Sequence, residues 1–486
     1  MKKFLKTAVP IICLIVAIAM PVAFVPCVLA ATGAQYADTY YAALSKQYDR
    51  LNSIDVPKVI VVGGSSVAFG LDSRLFEELY GMPSAAFGLY GSFGVKVMMD
   101  LSKTNIGRGD VIVLAPEITS ESLSLYFGAE SMLKATEQRP DILAHIAFDN
   151  VGDVLGASWG FARTKLENMR NGTNFDLDGV YRASAVNEYG EIDRSVFPRE
   201  GNILATGYLD EPIRYSAEDV SDEFIDYVND YVAYCRLRGA EVYYSFPPVN
   251  ERAVKGGDLR EDTAEYYSYM AEKLDCEVIS DPLDYVYDYR YFYDTNFHLN
   301  DSGAVLRTVQ LVRDLKLAKG DPTEISVSLP EPPDPQYEQK EIDPDLPYTD
   351  GDLFEYVETD GGYLAISGVK DEAKTLTSMV LPVIYDDKYV VSVLSGALEG
   401  CTMLEEVTVP VGIGQIDNGV FAGCSSLKRI RLLETSQDNV AVSGGLMEGV
   451  PEDCRIVLVN ASISDFGTGY FWSMYVEYLV EEDGQG

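Results

Sequence analysis

Three residues are placed by type and spacing to do covalent chemistry: Ser65, His298 and Asp294. Ser65 stands in the run Gly63-Gly64-Ser65-Ser66-Val67-Ala68-Phe69-Gly70, directly after the β-branched stretch that begins at Lys58. A turn at the carboxyl end of a parallel strand is where such sheets place ligands. A serine there projects its hydroxyl above the sheet, beside backbone N–H groups that can steady a developing oxyanion. The same turn admits plainer readings. Ser65 or Ser66 could cap the following helix, or the loop could cradle a phosphate. A dinucleotide fingerprint does not fit, because G-x-G-x-x-G is absent. The chain has only two histidines, His145 and His298. His298 lies in the polar run from Tyr293 to Gly303, just before a closing helix, so it should face the same rim as Ser65. Imidazole can take a serine proton because it titrates near neutrality. Asp294 could hold its tautomer and stabilise its cation. His145 sits in an apolar stretch, Ile142-Leu143-Ala144-His145, and reads as a packed or interface residue.

These residues need a frame, and the pattern from Lys58 onward supplies one. Lys58–Gly64 is a short β-branched run ending in glycines, the mark of a buried strand entering a turn. Leu71–Tyr80 reads as a helix capped by Asp72 or Ser73 and stopped by Gly81. Ser84–Gly91 is a second strand, Val95–Thr104 a helix, and Asp110–Pro116 a third strand. Later come a helix at Glu223–Arg238, strands at Glu241–Phe246 and Cys276–Ser280, and a last helix at Ser302–Leu317. Such βα alternation predicts an α/β fold, a parallel sheet with helices on both faces. Ile118 to about Val220 fits this rhythm poorly and reads as a largely helical insertion.

A chain of 486 residues exceeds one ordinary core. Acidic residues outnumber basic ones 76 to 38, for a formal charge of −38. That charge repels phosphate backbones and anionic lipid, so nucleic acid is not an expected partner. Contact with a membrane would need a dedicated segment. Lys2, Lys3 and Lys6 precede an uncharged run from Ala8 to Ala31, long enough to span a bilayer core as a helix. Basic flanks stay cytoplasmic, so everything after Thr32 should lie outside. Val28-Leu29-Ala30 also offers a site for signal cleavage, and both fates stay open. Of seven cysteines, Cys13 and Cys27 fall in this segment; the rest show no CxxC and no zinc spacing. Cys235 and Cys276 could pair outside the cell, though buried free thiols are the plainer expectation. No metal or organic cofactor is implied.

After the sheet pattern ends, Gly320–Tyr348 is rich in proline and acids, an extended, self-repelling spacer. Beyond it LEGCTMLEEV at 398–407 returns as FAGCSSLKRI at 421–430, an offset of 23, with a fainter copy from Leu446. That is a solenoid signature. The chain therefore divides into a targeting segment (1–31), a juxtamembrane helix or linker (32–56), and an α/β domain (57–319) with an insertion at about 118–220. A Pro/acidic linker (320–348) and a repeat domain (349–486) complete it.

Two resemblances follow from these motifs. The repeat wording, F-x-G-C-x-x-L and an apolar strand over roughly 385–460, resembles the BspA-type leucine-rich repeats of bacterial surface proteins, in which the cysteine (Cys401, Cys424) is a core residue. The G-x-S turn, the glycine after strand two and the late Asp-x-x-x-His-Leu-Asn resemble the SGNH/GDSL hydrolase superfamily, above all its extracytoplasmic branch that handles acyl groups on cell-envelope polymers. The likeness covers about residues 57–318 and implies a flavodoxin-like sheet. It also implies Ser65 as nucleophile, His298 as general base and Asp294 as orienting acid, with the backbone N–H groups of Ser65 and Gly91 in the oxyanion hole. Two departures stand out. The family's aspartate lies three residues before its histidine, where this chain has Thr295. The family's asparagine after strand three is missing, and Glu117 stands nearby. Losing one oxyanion donor costs about 2.7–4 kcal/mol of transition-state stabilisation, and an anionic Glu117 would add repulsion.

Asn250, at the end of Phe246–Asn250, could reach the cleft as a donor or could simply be a turn asparagine. Tyr285, Tyr287, Tyr289, Tyr291, Phe292 and Tyr293 could stack on sugar rings, although their alternation reads first as strand packing. Two functions are expected from all this. One is a serine esterase or O-acyltransferase acting on a cell-envelope glycan or related polymer. The other is a non-catalytic surface-binding or adhesion protein that meets a protein partner through its repeats and carries an idle hydrolase-like domain.

Overall fold

The computed structural model describes residues 24–89, 91–172, 179–199, 212–333, 342–359, 362–466 and 472–482. The proposed anchor falls largely outside them. Among the described residues no helix is long and apolar enough to cross a membrane.

In chain order the first unit comprises α1 (Leu44–Ser53), β1 (Val59–Gly63), α2 (Ser65–Gly70), α3 (Ser73–Tyr80), β2 (Ser84–Phe87), α4 (Val95–Ser102) and β3 (Val111–Ala115). There follow α5 (Ala129–Ala135), α6 (Val151–Asn171), α7 (Asp222–Leu237), β4 (Glu241–Tyr244), β5 (Val249–Asn250), α8 (Leu259–Lys273), β6 (Glu277–Val278), β7 (Val286–Tyr287) and α9 (Asp301–Ala318). Five strands form one parallel sheet in the order β2-β1-β3-β4-β6. All five residues of β1 and of β3 are buried, as a sheet covered on both faces requires. The period of two then sorts their side chains. Ile60, Val62, Ile112 and Leu114 join a core with Leu51 of α1, Met98 of α4, Val232 of α7 and Met270 of α8. Val59, Val61, Val111 and Val113 join a second core with Phe76 of α3 and Leu311, Val312 and Leu315 of α9. Helices thus cover both faces. Strand order reverses between β1 and β3, and their carboxyl ends open the crevice that such sheets use for ligands.

Local chemistry explains the elements around that crevice. The Asp72 carboxylate caps α3 by accepting from Leu75 N–H, and Gly81 closes the helix at φ +83°. Strand β2 stops at Phe87, short of the expected Gly91. A side chain at Gly88 would lie 2.5–2.6 Å from the carbonyl oxygens of Gly64 and Gly63, so only glycine can pass there. The insertion is helical at α5 and α6; the rest of its described part is short 3-10 turns and isolated bridges. It folds back on the sheet unit through Ile192 N–H to Ala68 O, 3.0 Å.

The spacer, where described, has no strand and no helix beyond a single turn. The tail has two sheets, β10-β13-β15-β17-β18 and β16-β14-β12-β9-β8, with β11 paired to β12; here β8 is Phe354–Glu358, β9 Leu364–Val369, β10 Ser378–Val380, β11 Ile384–Tyr385, β12 Lys388–Val393, β13 Glu406–Val409, β14 Gln415–Ile416, β15 Arg429–Leu432, β16 Ala441–Val442, β17 Arg455–Val459 and β18 Leu479–Glu482. Its register is the sequence period made visible: Glu406 pairs Arg429 and Val407 pairs Ile430, each 23 residues on. Leu398, Cys401, Leu404 and Val407 stack under Phe421, Cys424, Leu427 and Ile430 in one core. Gly400, Gly423 and Gly449 occupy one turn position at φ +74°, +73° and +70°. This is a solenoid of stacked parallel strands, as the 23-residue period predicts. Its cysteines are buried free thiols, as are Cys235 and Cys276.

Candidate active site

Ser65 is the first residue of α2, so its hydroxyl stands at the end of β1 over the crevice. His298 arrives from 233 residues downstream, and its Nε2 lies 2.7 Å from Ser65 Oγ. On the other side of the ring, Nδ1 lies 2.8 Å from Asp294 Oδ1. Ser65 is 3% exposed and His298 1%, so both are shielded from bulk water, whereas the Asp294 carboxylate is partly exposed. The three residues expected to meet therefore do meet, in the order hydroxyl, imidazole, carboxylate.

The departure in spacing is absorbed by the loop that carries the imidazole. Tyr293 N–H donates to His298 O at 2.8 Å, and Phe292 bridges Leu299, which closes 293–298 into a tight antiparallel turn. Inside it, Thr295 Oγ1 accepts from the N–H groups of Phe297 and His298. Thr295 thus shapes the turn, and Asp294, one position earlier, points its carboxylate at the ring. Asn300 then caps α9 by accepting from Gly303 N–H.

Two supporting residues escaped the sequence reading. Phe69, one turn after Ser65, stacks on the His298 ring with centroids 4.0 Å apart and planes 3° from parallel, which fixes the ring's plane. Tyr181, from the insertion, donates to Asp294 Oδ2 and lies 3.2 Å from His298 Nδ1. Its burial, with the Asp294 charge beside it, raises the phenol well above its ordinary range, so it remains a donor. For Phe69 the signal was an apolar residue four positions along from the serine. Tyr181 left none, since nothing local ties the insertion to the catalytic loop.

Glu117 follows β3 across the crevice and is almost fully buried. Its Oε1 accepts from Ser66 N–H at 2.7 Å and lies 3.1 Å from Ser65 Oγ. The serine oxygen is therefore held between an imidazole and a carboxyl. Glycines make this approach feasible: a Cβ on Gly63 would sit 2.4 Å from Ala115 O, and one on Gly64 would sit 2.7 Å from the Glu117 carboxyl. Beneath the turn, Arg307 of α9 donates to Ser66 O.

Ser65, Gly91, Glu117 and His298 line a cavity of about 840 Å³. Its walls mix polar and apolar groups: Thr119, Arg214, Lys255, Ile118, Leu123 and Phe297 come from the α/β unit, Asp417, Asn418 and Glu448 from the repeats. Gly91 thus faces the cavity as expected. Asn250 does not. It is fully buried, accepts from Arg252 N–H and donates to Asn296 Oδ1, and it is Asn296 that reaches the wall. The expectation of Asn250 as a cleft donor is corrected by this register; the turn reading holds. The tyrosine run does not line the cavity either: Tyr285, Tyr287 and Phe292 are in the core, and Tyr289 is covered by the Arg252 guanidinium 3.5 Å from its ring. His145 is exposed beside Tyr48, 5.9 Å between rings, away from the crevice.

No known family profile matches this chain, and no curated protein matches it. Among solved structures, a leucine-rich repeat protein from Bacteroides ovatus ATCC 8483 is 20% identical over 22% of this chain and 36% of its own, with a TM-score of 0.16. The T. pallidum leucine-rich repeat protein is 17% identical over 28% of this chain and 83% of its own, with a TM-score of 0.18. The chain thus spans about a third of the length of the first. At these scores the overlaps bear on neither fold nor function.

Proposed function

We propose that the chain is an extracytoplasmic serine esterase or O-acyltransferase of SGNH type, tethered to the membrane by its N-terminal segment and acting on a cell-envelope glycan. The single observation that carries this reading is the unbroken relay from Ser65 Oγ through His298 to Asp294. The flavodoxin-like strand order and the serine at the first βα turn agree with it.

In the reaction, Ser65 Oγ attacks the ester carbonyl carbon while its proton passes to His298 Nε2. The new imidazolium is stabilised by Asp294, which Tyr181 holds in place. The carbonyl oxygen takes the negative charge. When the tetrahedral intermediate collapses, the C–O bond to the alcohol breaks and His298 returns the proton to the departing oxygen. Water, or a sugar hydroxyl for transfer, then gives its proton to His298 and attacks the acyl-serine. Release of Ser65 restores the resting state. Thr119, Arg214 and Lys255 at the wall offer hydrogen bonds to a hydroxyl-rich substrate.

A fluorophosphonate probe tests this directly. The full chain should be labelled, Ser65→Ala should not, and ester turnover should fall at least about 10³-fold with that substitution. Wild-type protein that neither reacts with the probe nor turns over an ester sinks the proposal. One observation favours a second reading. Glu117 already occupies the Ser66 N–H, a donor an oxyanion would want, and a chain left in that state would serve as a displayed binding protein that uses its repeats.

A further inference from the structure

Helix α6 carries an apolar stripe that, among the described residues, is met only at its Trp159 end, by the Phe24 ring. Phe148, in the turn before it, is 91% exposed; Val151, Leu155 (67%) and Trp159 follow at helical spacing. Gly152, Gly156 and Gly160 lie alongside, and a side chain added at any of them would meet nothing within 4 Å. Only the second half of the helix is anchored in number, by Phe161, Ala162 and Lys165, whereas the first half buries Val154 alone.

The chain's own course says what faces this stripe. Residues 7–37 contain no charged side chain, and they follow Lys2, Lys3 and Lys6. The run enters the described structure as a helical stretch at 24–32, where the Phe24 ring lies 4.3 Å from Trp159. The segment fit to span a bilayer therefore emerges beside the exposed stripe.

We propose that the first half of α6 lies in the membrane interface, with Phe148, Val151, Leu155 and Trp159 set among lipid headgroups and upper acyl chains. This rests on the membrane tether proposed above. Tryptophan favours that depth, and an amphipathic helix parallel to the surface is the ordinary form of such contacts. A second copy fits less well. Four side chains bury far less than the roughly 1,600 Å² of a standard interface, and two chains of charge −38 repel each other. The helix adds a second point of contact to the tether, so the α/β unit is held at one orientation rather than swinging from its N-terminus.

The chain has two tryptophans, Trp159 and Trp472, and the latter is buried in the repeats, so fluorescence can read the contact. Full-length Trp472→Phe protein is placed in vesicles of phosphatidylcholine with or without dibrominated acyl chains. Wild type and Trp159→Phe are run beside it, so that their difference reports Trp159 should Trp472→Phe fold poorly. Trp159 emission should drop by half or more with bromine near the headgroups, and Leu155→Asp should remove most of that quenching. Protein that floats with the vesicles but shows no quenching overturns the docking and leaves the tether standing. Protein that does not float overturns both. Shielding of Trp159 that grows with protein concentration and ignores bromine assigns the stripe to a second copy, and also overturns it.

Discussion

The α/β unit and the repeat tail are both built on buried parallel strands, yet only one of them assembles unlike residues at a point. In the repeats, register forces sameness. Val407 lies over Ile430, Cys401 over Cys424, and the turn glycines share one φ. Such a stack gains stability from each neighbour but offers no site where a base, an acid and a nucleophile converge. Its buried polar atoms stand apart instead: Ser392 Oγ, Asp417 Oδ2 and Ser443 Oγ have no hydrogen-bond partner among the described residues, and burial pushes the Asp417 carboxyl up to about 6. In the α/β unit each crossover differs, so the reversal between β1 and β3 can gather Ser65, Glu117 and a loop from near the end of that unit. Chemistry needs that irregularity; a recognition surface does not.

The largest effect that tests this contrast is on rate. Asp294→Asn keeps the shape of the relay but removes the charge behind the imidazole, and should lower kcat about 10⁴-fold. The melting temperature should hardly move, since Asp294 is a partly exposed loop residue. A loss below tenfold would mean that Asp294 does not orient His298 and that the relay is incidental. In the tail the expectation is reversed. Leu427→Ala removes a fully buried side chain from the stack and should destabilise the repeats by about 2–5 kcal/mol. Urea melts followed by Trp472 emission should show the shift, while probe labelling of Ser65 stays at the wild-type level. Coupled loss of both would show that the two regions fold as one.

Much of this is legible in the sequence, for reasons that differ by region. The strand that delivers Ser65, the Asp72 cap with its Gly81 stop, and the 23-residue repeat are local patterns, and local patterns survive folding. The pairing of Ser65 with His298 was legible because both sit at the carboxyl edge of one sheet, which topology brings together. What the sequence hid depends on long-range contact. The early end of β2 is imposed by the carbonyls of Gly63 and Gly64 against Gly88. Tyr181 reaches Asp294 across 113 residues, from a segment with no periodicity. Asn250 went astray for a smaller reason: a strand end fixes which rim a residue nears, and not whether it or its partner Asn296 meets solvent.

Glu117 gives the finest discrimination between a working site and a displayed one. As a carboxylate beside Ser65 Oγ, it opposes the charge that develops on the ester oxygen, and it competes for the Ser66 N–H. Glu117→Gln is nearly isosteric. It removes the charge and brings an amide N–H that can donate to the oxyanion, the service expected of an asparagine after strand three in the hydrolase type proposed above. One such donor is worth about 10²–10³ in kcat elsewhere; part of that is lost here because the amide must also release the Ser66 N–H. The expected outcome is a rise of about tenfold in kcat/KM on a small ester, with unchanged thermal stability. A rise makes Glu117 a brake on an intact hydrolase. A fall of similar size makes it a contributor, through substrate hydroxyls or through the seat of Ser65, and brings the α/β unit closer to the tail in what its polar residues are for.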